Sequence, residues 1–395
     1  MRTTHRGVPV YRPNVYRTDA IIDPYPHYTR MREMGEVVWL PRQRVYALPR
    51  FAECKAVLRD DEGFISGQGV ALNPIINWMS RGTTLNSDGA EHDRRRKLVA
   101  HRMLPRALRA IGESVDAQAA AVVDAALAKG AIDGVADLAM ALPMAVVPDL
   151  VGWPRDQRDH LLPWGGATFD VLGPVNVQSL RALPGALRML RFARRVVRER
   201  AMLEGSLGHD VLLAADEGKL SHDECSPLMV DYIAPSLDTT ISAISHALYL
   251  FGTHPEQWQR LRDDPTLLSN AVNEVVRYES PLRAFSRKAL RDSQIGSTSI
   301  PAGARVLVVY ASANRDEREW DDPGTFDIGR DATRHLGFGQ GAHACAGQGL
   351  ARLETTAILR ALVERVEHIE VTGPPTWAIN NIIRRHERLP LRLVG

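Results

Sequence analysis

The chain has 395 residues, and its 49 lysines and arginines nearly balance its 47 aspartates and glutamates. This balance gives no reason to expect a nucleic-acid partner or an acidic substrate. Three cysteines are too few for a dense disulfide framework and suit a reducing cytosol. The first residues contain no signal-peptide core, and the most apolar stretch, residues 135–153, is interrupted by aspartates and prolines. We therefore expect a cytoplasmic protein that binds neither nucleic acid nor membrane.

The N-terminal part predicts short elements followed by a long loop. A helix is predicted after Pro24, extended runs at residues 37–40 and 45–48, and another helix over residues 51–58. Residues 65–85 are rich in glycine and asparagine and show no clear periodicity, which predicts a loop. Long connections of this kind are often lids or binding loops.

Two predicted helices carry dense groups of basic side chains. In the first, over residues 88–104, His92 and Arg96 are four positions apart and share one face. The second covers residues 188–198 and has no aromatic interleaving that would indicate nucleic-acid binding. Taken alone, both patterns are explained by solvated faces.

A long helical pattern covers residues 221–252 and is interrupted by a segment that contains proline and polar residues. Asp238 and Thr239 lie in an otherwise apolar stretch, where an acid and a hydroxyl cost free energy unless they are hydrogen-bonded. A threonine bonded to its own helix carbonyl and an aspartate on a hydrated face would meet this need. Pro235 removes an amide donor, so we expect the helix to open near Asp231.

The remaining elements set the fold class. Glu274 and Arg277 are three positions apart on a predicted helix, a spacing typical of a stabilising ion pair. The extended runs at residues 285–295, at 305–310 and in the C-terminal tail are too few for an α/β sheet. The sequence therefore predicts a mainly α protein with a small β region, in one domain over residues 1–395.

A glycine-punctuated loop, residues 335–347, presents Cys345 just before a helix whose apolar spacing begins at Leu350. Helix amides and the helix dipole favour a thiolate at this position. Gly339, Gly341 and Gly347 allow the backbone to approach the sulfur closely. The site suits a soft metal, although a lone cysteine is more often a small buried hydrophobe.

The ten residues FGQGAHACAG resemble the haem-ligand loop of the cytochrome P450 family, written Phe-Gly-x-Gly-x-His-x-Cys-x-Gly. The matching residues are Phe338, Gly339, Gly341, His343, Cys345 and Gly347. The resemblance implies a helix-rich triangular prism with a long central oxygen-binding helix. It also implies haem b as cofactor, with Cys345 as the axial ligand of the iron.

Further family signatures follow the same order along the chain. By resemblance, the haem propionates are bound by His92, Arg96, Arg287 and His343. Asp238 and Thr239 match the acid–alcohol pair that relays protons, although Pro235 and Ser236 stand where the family has alanine and glycine. Glu274 and Arg277 match the family's structural Glu-x-x-Arg signature, with Arg330 as the candidate third partner.

The family resemblance implies a monooxygenase that inserts one oxygen atom from O₂ into a C–H bond. Electrons are expected from a ferredoxin with its reductase, because no flavin or iron–sulfur domain is attached. An acidic donor of this kind would be steered by positive charge. Candidate docking residues are Arg94, Arg95, Lys97, Arg102 and Arg106. A monomer is expected.

Several segments resemble soluble bacterial enzymes that oxidatively demethylate para-methoxybenzoates. That likeness implies a narrow apolar slot for a flat aromatic ring, lined by Leu85, Phe169, Leu172, Leu282 and Phe285. Ahead of Pro235, Val230 and Asp231 replace the arginine and serine that this subfamily uses to hold a carboxylate. Because an aspartate repels a benzoate, we expect a neutral phenolic or aryl-ether substrate and its O-demethylation or hydroxylation.

Three other functions stay open at this point. A peroxide-driven peroxygenase would use the same haem without electron donors, and a hydroxylase of terpenoid or natural-product intermediates would need a larger pocket. A haem-based sensor is the non-enzymatic alternative. It would not need an acid–alcohol pair on an apolar helix.

Overall fold

The computed structural model describes residues 7–395, so the first six residues of the predicted domain lie outside the described part. The chain is 54% helical with a small β region, as the sequence predicts. The α-helices are α1 (Thr18–Ile22), α2 (Tyr25–Met34), α3 (Phe51–Arg59), α4 (Pro74–Met79), α5 (Gly89–Ala100), α6 (Pro105–Lys129), α7 (Ala141–Val151), α8 (Leu161–Leu172), α9 (Val177–Arg198), α10 (Leu207–Asp216), α11 (His222–Thr253), α12 (Pro255–Asp263), α13 (Leu268–Tyr278), α14 (Tyr310–Ala313) and α15 (Gln348–Arg365).

The strands are short and form four small sheets. They are β1 (Val38–Leu40), β2 (Val45–Leu48), β3 (Phe64–Ile65), β4 (Ala131–Asp133), β5 (Phe285–Ala289), β6 (Ser293–Ile295), β7 (Thr298–Ile300), β8 (Arg305–Val308), β9 (His368–Val371), β10 (Thr376–Trp377), β11 (His386–Arg388) and β12 (Pro390–Val394). The largest sheet has the order β1-β2-β8-β5-β3, with β2 and β8 parallel and the other pairs antiparallel. It joins the N-terminal extended runs to β5, which carries predicted site residues.

The long helix α11 crosses the core and packs against α7, α8, α9, α10, α13 and α15. Its 32 residues correspond to a length of about 48 Å. The helix continues through Pro227 and Pro235, so the expected opening near Asp231 does not interrupt it. Close to the second proline, the hydroxyl of Ser236 donates to the Tyr232 carbonyl at 2.6 Å. Packing against several neighbouring helices keeps α11 continuous at this position, which lacks an amide donor.

The predicted loop of residues 65–85 contains the short helix α4, which the sequence pattern does not predict. Asn73 caps it by accepting a hydrogen bond from Ile75 N at 2.9 Å, and Pro74 takes the first helical position, where no amide is needed. The Leu72 amide donates to the Leu172 carbonyl at 2.9 Å. This bond fixes the segment against the end of α8.

One apolar stretch, Gly134–Val151, is long and apolar enough to cross a membrane by length and composition alone. It consists of a π-helical turn, Gly134–Ala139, followed by α7, and Pro148 lies inside α7. Leu138, Leu142 and Val147 of this stretch are buried in the main core. Buried core helices often have the same length and apolar composition, so the stretch is weak evidence for a membrane span.

Candidate active site

A large cavity beside the middle of α11 has an empty volume of about 1420 Å³, its open mouth included. Its walls come from α5, α8, α11, α15, β5 and the glycine-rich loop before α15. The structure brings most of the predicted site residues together here. Those that line it are Leu85, His92, Arg96, Phe169, Asp231, Pro235, Thr239, Leu282, Phe285, Arg287, Phe338, Gly339, His343 and Cys345.

The loop that presents Cys345 is held by its own backbone. The Cys345 amide donates to the Phe338 carbonyl at 2.8 Å, three residues before α15 begins. Gly339 and Gly341 have φ values of +67° and +72°, which residues with a side chain rarely adopt. A Cβ atom at Gly341 would also collide with the carbonyl oxygen of Leu58. The loop therefore needs glycine at these two positions.

The Cys345 thiol lies half-buried in the cavity wall, among opposing influences on its pKa. Burial is the largest of them and raises the pKa of this thiol. The amides of Gly347 and Gln348 and the charges of Arg96 and Arg352 act in the opposite direction. The amides at the start of α15 favour the thiolate, as the sequence predicts. Burial has the larger effect in the protein chain, so the pKa of the thiol is raised.

Basic side chains converge on the same part of the cavity. The imidazole rings of His92 and His343 are 4.3 Å apart between centroids. Arg96, one turn after His92 on α5, donates to the Ala344 carbonyl at 2.7 Å. Arg287 lies on β5, and its buried side chain also lines the cavity. A compact group with positive charge thus borders the Cys345 loop.

The other basic residues near α5 are largely engaged in ion pairs. Arg95 is buried and contacts Glu224 at 2.8 Å, so it is not part of a docking surface. Arg94 pairs with the same Glu224 at 2.6 Å, and Arg102 pairs with Asp210 at 2.7 Å. The predicted docking patch is correspondingly reduced, because these charges stabilise contacts between α5, α10 and α11.

Asp238 and Thr239 are neighbours on α11, but they face different surroundings. Thr239 lines the cavity, and its hydroxyl donates to the Pro235 carbonyl at 2.6 Å. Asp238 is 1% exposed, does not line this cavity, and forms an ion pair with Arg385 at 2.9 Å between Oδ1 and Nε. Burial raises the pKa of Asp238, while Arg385 opposes that rise.

Asp238 borders a second, more polar cavity with an empty volume of about 1100 Å³. This cavity lies between α8, α9 and the C-terminal segment, and Asp170, Arg385 and Glu387 also line it. Burial raises the pKa of Asp170 to about 6. The acid and the alcohol of α11 therefore sit at the walls of two cavities on different sides of one helix.

An apolar slot in the main cavity is bordered by two aromatic side chains that stack on each other. The rings of Phe169 and Phe285 lie nearly parallel, 19° apart, with centroids separated by 6.5 Å. Leu85 and Leu282 complete this apolar region. Aromatic and aliphatic walls of this kind favour flat, apolar ligands.

Two predicted pocket residues lie elsewhere. Val230 is buried in the main core, because it is rotated by about 100° around α11 from Asp231, which faces the cavity. Leu172 is buried at the end of α8 in the second core cluster, and its carbonyl accepts a hydrogen bond from the Leu72 amide. Helical rotation and this packing direct both side chains away from the ligand space.

Asp231 connects α11 to the loop that follows α4. Its Oδ2 accepts hydrogen bonds from the amides of Thr84 at 2.8 Å and Leu85 at 3.2 Å. Burial raises the pKa of Asp231 to about 6, although these amides, the Thr84 hydroxyl and Arg95 lower it. The hydroxyl of Tyr232 lies 3.4 Å from that of Thr84.

Glu274 and Arg277 form a fully buried pair behind the site, with both side chains 0% exposed. Two hydrogen bonds join them, at 2.6 and 2.8 Å. Arg277 also donates to the carbonyls of Asn314 and Pro323, which ties α13 to the segment before the cysteine loop. Arg330 reaches Glu274 at 3.5 Å, so it stands where the third partner was predicted.

Known proteins resemble this chain in sequence over almost its whole length. The family profile described as Cytochrome P450 matches residues 198–387. Cytochrome p450 CYP199A2 of Rhodopseudomonas palustris is 36% identical over 98% of this chain and 95% of its own length. The chain belongs to the cytochrome P450 family. The cytochrome P450 monooxygenase PikC of Streptomyces venezuelae is 33% identical over 99% of this chain and 97% of its own.

Solved P450 structures share the fold. Cytochrome P450 CREJ, in complex with (4-ethylphenyl) dihydrogen phosphate, is 25% identical with a TM-score of 0.87 over 94% of this chain and 98% of its own. Epothilone D-bound P450epoK is 26% identical, with a TM-score of 0.87 over 98% and 100%. The predicted P450 fold, monooxygenase class and likeness to the para-methoxybenzoate O-demethylating subfamily are confirmed.

The cavity residues fit haem b, which P450 proteins bind through a cysteine thiolate. Cys345 faces the cavity, and His92, Arg96 and Arg287 can meet the negative charge of two propionates. The His92 Nε2 atom is buried without a hydrogen-bond partner among the described residues. A buried polar atom of this kind needs a partner, and a propionate oxygen would provide one.

Sequence reasoning missed several side chains at this P450 site. Thr84, Tyr232 and Tyr310 line the main cavity, and Arg385 pairs with Asp238. No local pattern marks them, since each reaches the site through long-range packing. For Thr84, the signal available in the sequence was its place at the end of the unpatterned loop.

Proposed function

We propose that this P450 monooxygenase acts on small, flat, neutral aromatic compounds, such as phenolic aryl ethers, by O-demethylation or hydroxylation. The observation that carries the proposal is the apolar slot bordered by Phe169 and Phe285, in a cavity that Asp231 also lines. A flat ring can pack against the two phenyl groups, and the carboxylate repels a benzoate in a region of low dielectric. The identity to CYP199A2 and the aryl ligand in the CREJ complex support an aromatic substrate.

Cys345 is proposed as the axial ligand of the haem iron. When bound, the haem supplies the oxidising chemistry, and a thiolate ligand donates electron density that favours O–O cleavage. The amides of Gly347 and Gln348 lower the pKa of the Cys345 thiol and so favour the thiolate that would bind the iron. His92, Arg96, Arg287 and His343, with the backbone at Phe338 and Gly339, are proposed to bind and orient the cofactor.

Thr239 and Asp238 are proposed to move protons between the two cavities. The Thr239 hydroxyl keeps its acceptor capacity towards the main cavity, because it donates to the Pro235 carbonyl. Asp238 can take a proton on the side of the polar cavity, where Arg385 holds its carboxylate. Residues adjacent on one helix thus provide a positioned acid and a positioned hydroxyl.

A ferredoxin with its reductase is proposed as the electron source. Behind Cys345, a surface groove is lined by Arg96, Arg109, Arg352 and Arg360, against the acids Glu113 and Asp116. Its excess of positive charge suits an acidic partner. We propose this groove in place of the basic patch predicted on α5 and the residues directly after it. We also propose a cytoplasmic monomer with one domain over residues 1–395.

The test is a spin-state titration of the haem-loaded protein against a panel of aromatic compounds, followed by turnover with a ferredoxin and its reductase. We expect neutral phenol ethers to shift the spin state and to release formaldehyde. Tighter binding of benzoates than of neutral phenol ethers would refute the proposed substrate class. Turnover with peroxide alone, at rates equal to those with electron donors, would favour the peroxygenase function.

A further inference from the structure

Asp231 occupies a distinctive place on the cavity wall. Asp231, Pro235 and Thr239 follow one another at intervals of four residues, so they share one face of α11 and all line the cavity. The two ends of this row are about 12 Å apart along the helix axis. Asp231 therefore lies about two helical turns from Thr239 along the cavity wall.

The carboxylate of Asp231 is held in a fixed orientation. The backbone amides of Thr84 and Leu85 both donate to Oδ2, and the Thr84 hydroxyl is a third donor to this carboxylate. A carboxylate has about four acceptor positions, so Asp231 keeps acceptor capacity in the wall of the cavity that it lines. The nearby Arg95 does not use that capacity. Its guanidinium donates to Glu224, Glu91 and the Thr83 carbonyl.

The apolar surroundings strengthen a hydrogen bond to the Asp231 carboxylate. Asp231 is the one carboxylate among the described residues that line the cavity, and the apolar residues Leu85, Phe169, Leu282 and Phe285 line it as well. Hydrogen bonds to a charged acceptor are about twice as strong as neutral ones, and a low local dielectric strengthens them further. A substrate that brings a donor to this point gains most, whereas one with an apolar group leaves the carboxylate unpaired.

We propose that Asp231 determines substrate choice by accepting a hydrogen bond from a phenolic hydroxyl at the end of the ring opposite the reacting group. This inference rests on the proposed function and narrows it to phenols with an oxidisable para substituent. The anchor is a pre-oriented carboxylate, and the ring packs against Phe169 and Phe285.

The same contacts allow a simpler role, in which Asp231 only fastens the loop of residues 83–87 to α11. The two roles give different ligand dependence. Loss of a loop fastening weakens every ligand alike. Loss of a hydroxyl anchor weakens only ligands that carry the hydroxyl.

The experiment compares three ligands of similar shape by spin-state titration of the haem-loaded enzyme: 4-methoxyphenol, 4-methylanisole and 4-methoxybenzoate. In the unaltered protein we expect 4-methoxyphenol to bind about 10- to 100-fold more tightly than 4-methylanisole. The Asp231→Asn variant keeps an oxygen for the loop amides. It should lose most of this preference and bind 4-methoxybenzoate more tightly. Asp170→Asn, which alters a buried acid of the other cavity, is the matched control and should keep the preference.

Two results would overturn the inference. One is an equal affinity of the unaltered protein for the phenol and its methyl analogue, a measurement that needs no variant. The other is an equal weakening of all three ligands in Asp231→Asn. If the ligands bind and are demethylated without a preference for the hydroxyl, only the role of Asp231 fails. If none of them shifts the spin state, the proposed substrate class fails with it.

Discussion

Replacing Glu274 by glutamine tests the buried ion pair that supports the haem side of the core. The substitution keeps the shape of the side chain but removes its charge. Arg277 would then be a buried cation with 0% side-chain exposure and without its counter-ion. Of the two hydrogen bonds, at 2.6 and 2.8 Å, one can persist to the amide oxygen, while the amide NH₂ faces a donor in place of the other.

Breaking a buried pair by removing one partner costs about 3–5 kcal/mol. We expect the lower end, about 3 kcal/mol, because Arg277 still donates to the carbonyls of Asn314, Pro323 and Thr325. A loss of this size is a large fraction of the 5–15 kcal/mol by which domains are typically stable. It should therefore lower the urea midpoint clearly and reduce haem retention.

The assay is urea unfolding followed by far-UV circular dichroism, with the Soret band recorded in parallel. The control is Asp116→Asn, which breaks a pair with Arg360 at the same short distance of 2.6 Å but with 45% and 43% side-chain exposure. Exposed pairs contribute about 0–1 kcal/mol, so this variant should unfold close to the unaltered protein. If Glu274→Gln also unfolds within about 1 kcal/mol of it, the reasoning from burial is refuted.

Further predictions concern the ligand, the relay and the substrate anchor. Cys345→Ser should abolish the strongly red-shifted Soret band of the ferrous carbonyl complex, and its persistence would exclude Cys345 as ligand. Arg385→Gln removes a charge that lowers the pKa of Asp238, so the pH profile of turnover should move to higher pH. The exposed control Arg388→Gln should leave the profile unchanged, and identical profiles for both would contradict the relay. The pKa of Asp231 is raised to about 6. Below that pH the group is mostly neutral, so 4-methoxybenzoate should bind more tightly as the pH falls from 7 to 5; constant affinity would contradict the repulsion.

Sequence patterns located the cysteine loop, the basic face of α5 and the Glu274–Arg277 pair because each is a short-range pattern. Residues at fixed spacing on a helix or loop must be neighbours in space. The same reasoning also predicted the small sheet and its N-terminal runs.

The remainder depended on long-range packing. The path of α11 through Pro235 could not be predicted, because neighbouring helices, not local propensity, keep it continuous. The partners of Asp231 and Asp238 lie 147 residues before and 147 residues after them, at Thr84 and Arg385. Val230 was assigned to the pocket with its neighbour, although adjacent helical residues point about 100° apart.

Because adjacent residues of α11 point in different directions, this helix separates two cavities. Thr239 borders the main cavity, and Asp238, the next residue back, borders a separate polar cavity. Leu85, Leu282 and Phe285 line the first cavity and not the second. Substitutions at these three positions would therefore change the shape of the main cavity and leave the residues that line the cavity around Asp238 as they are.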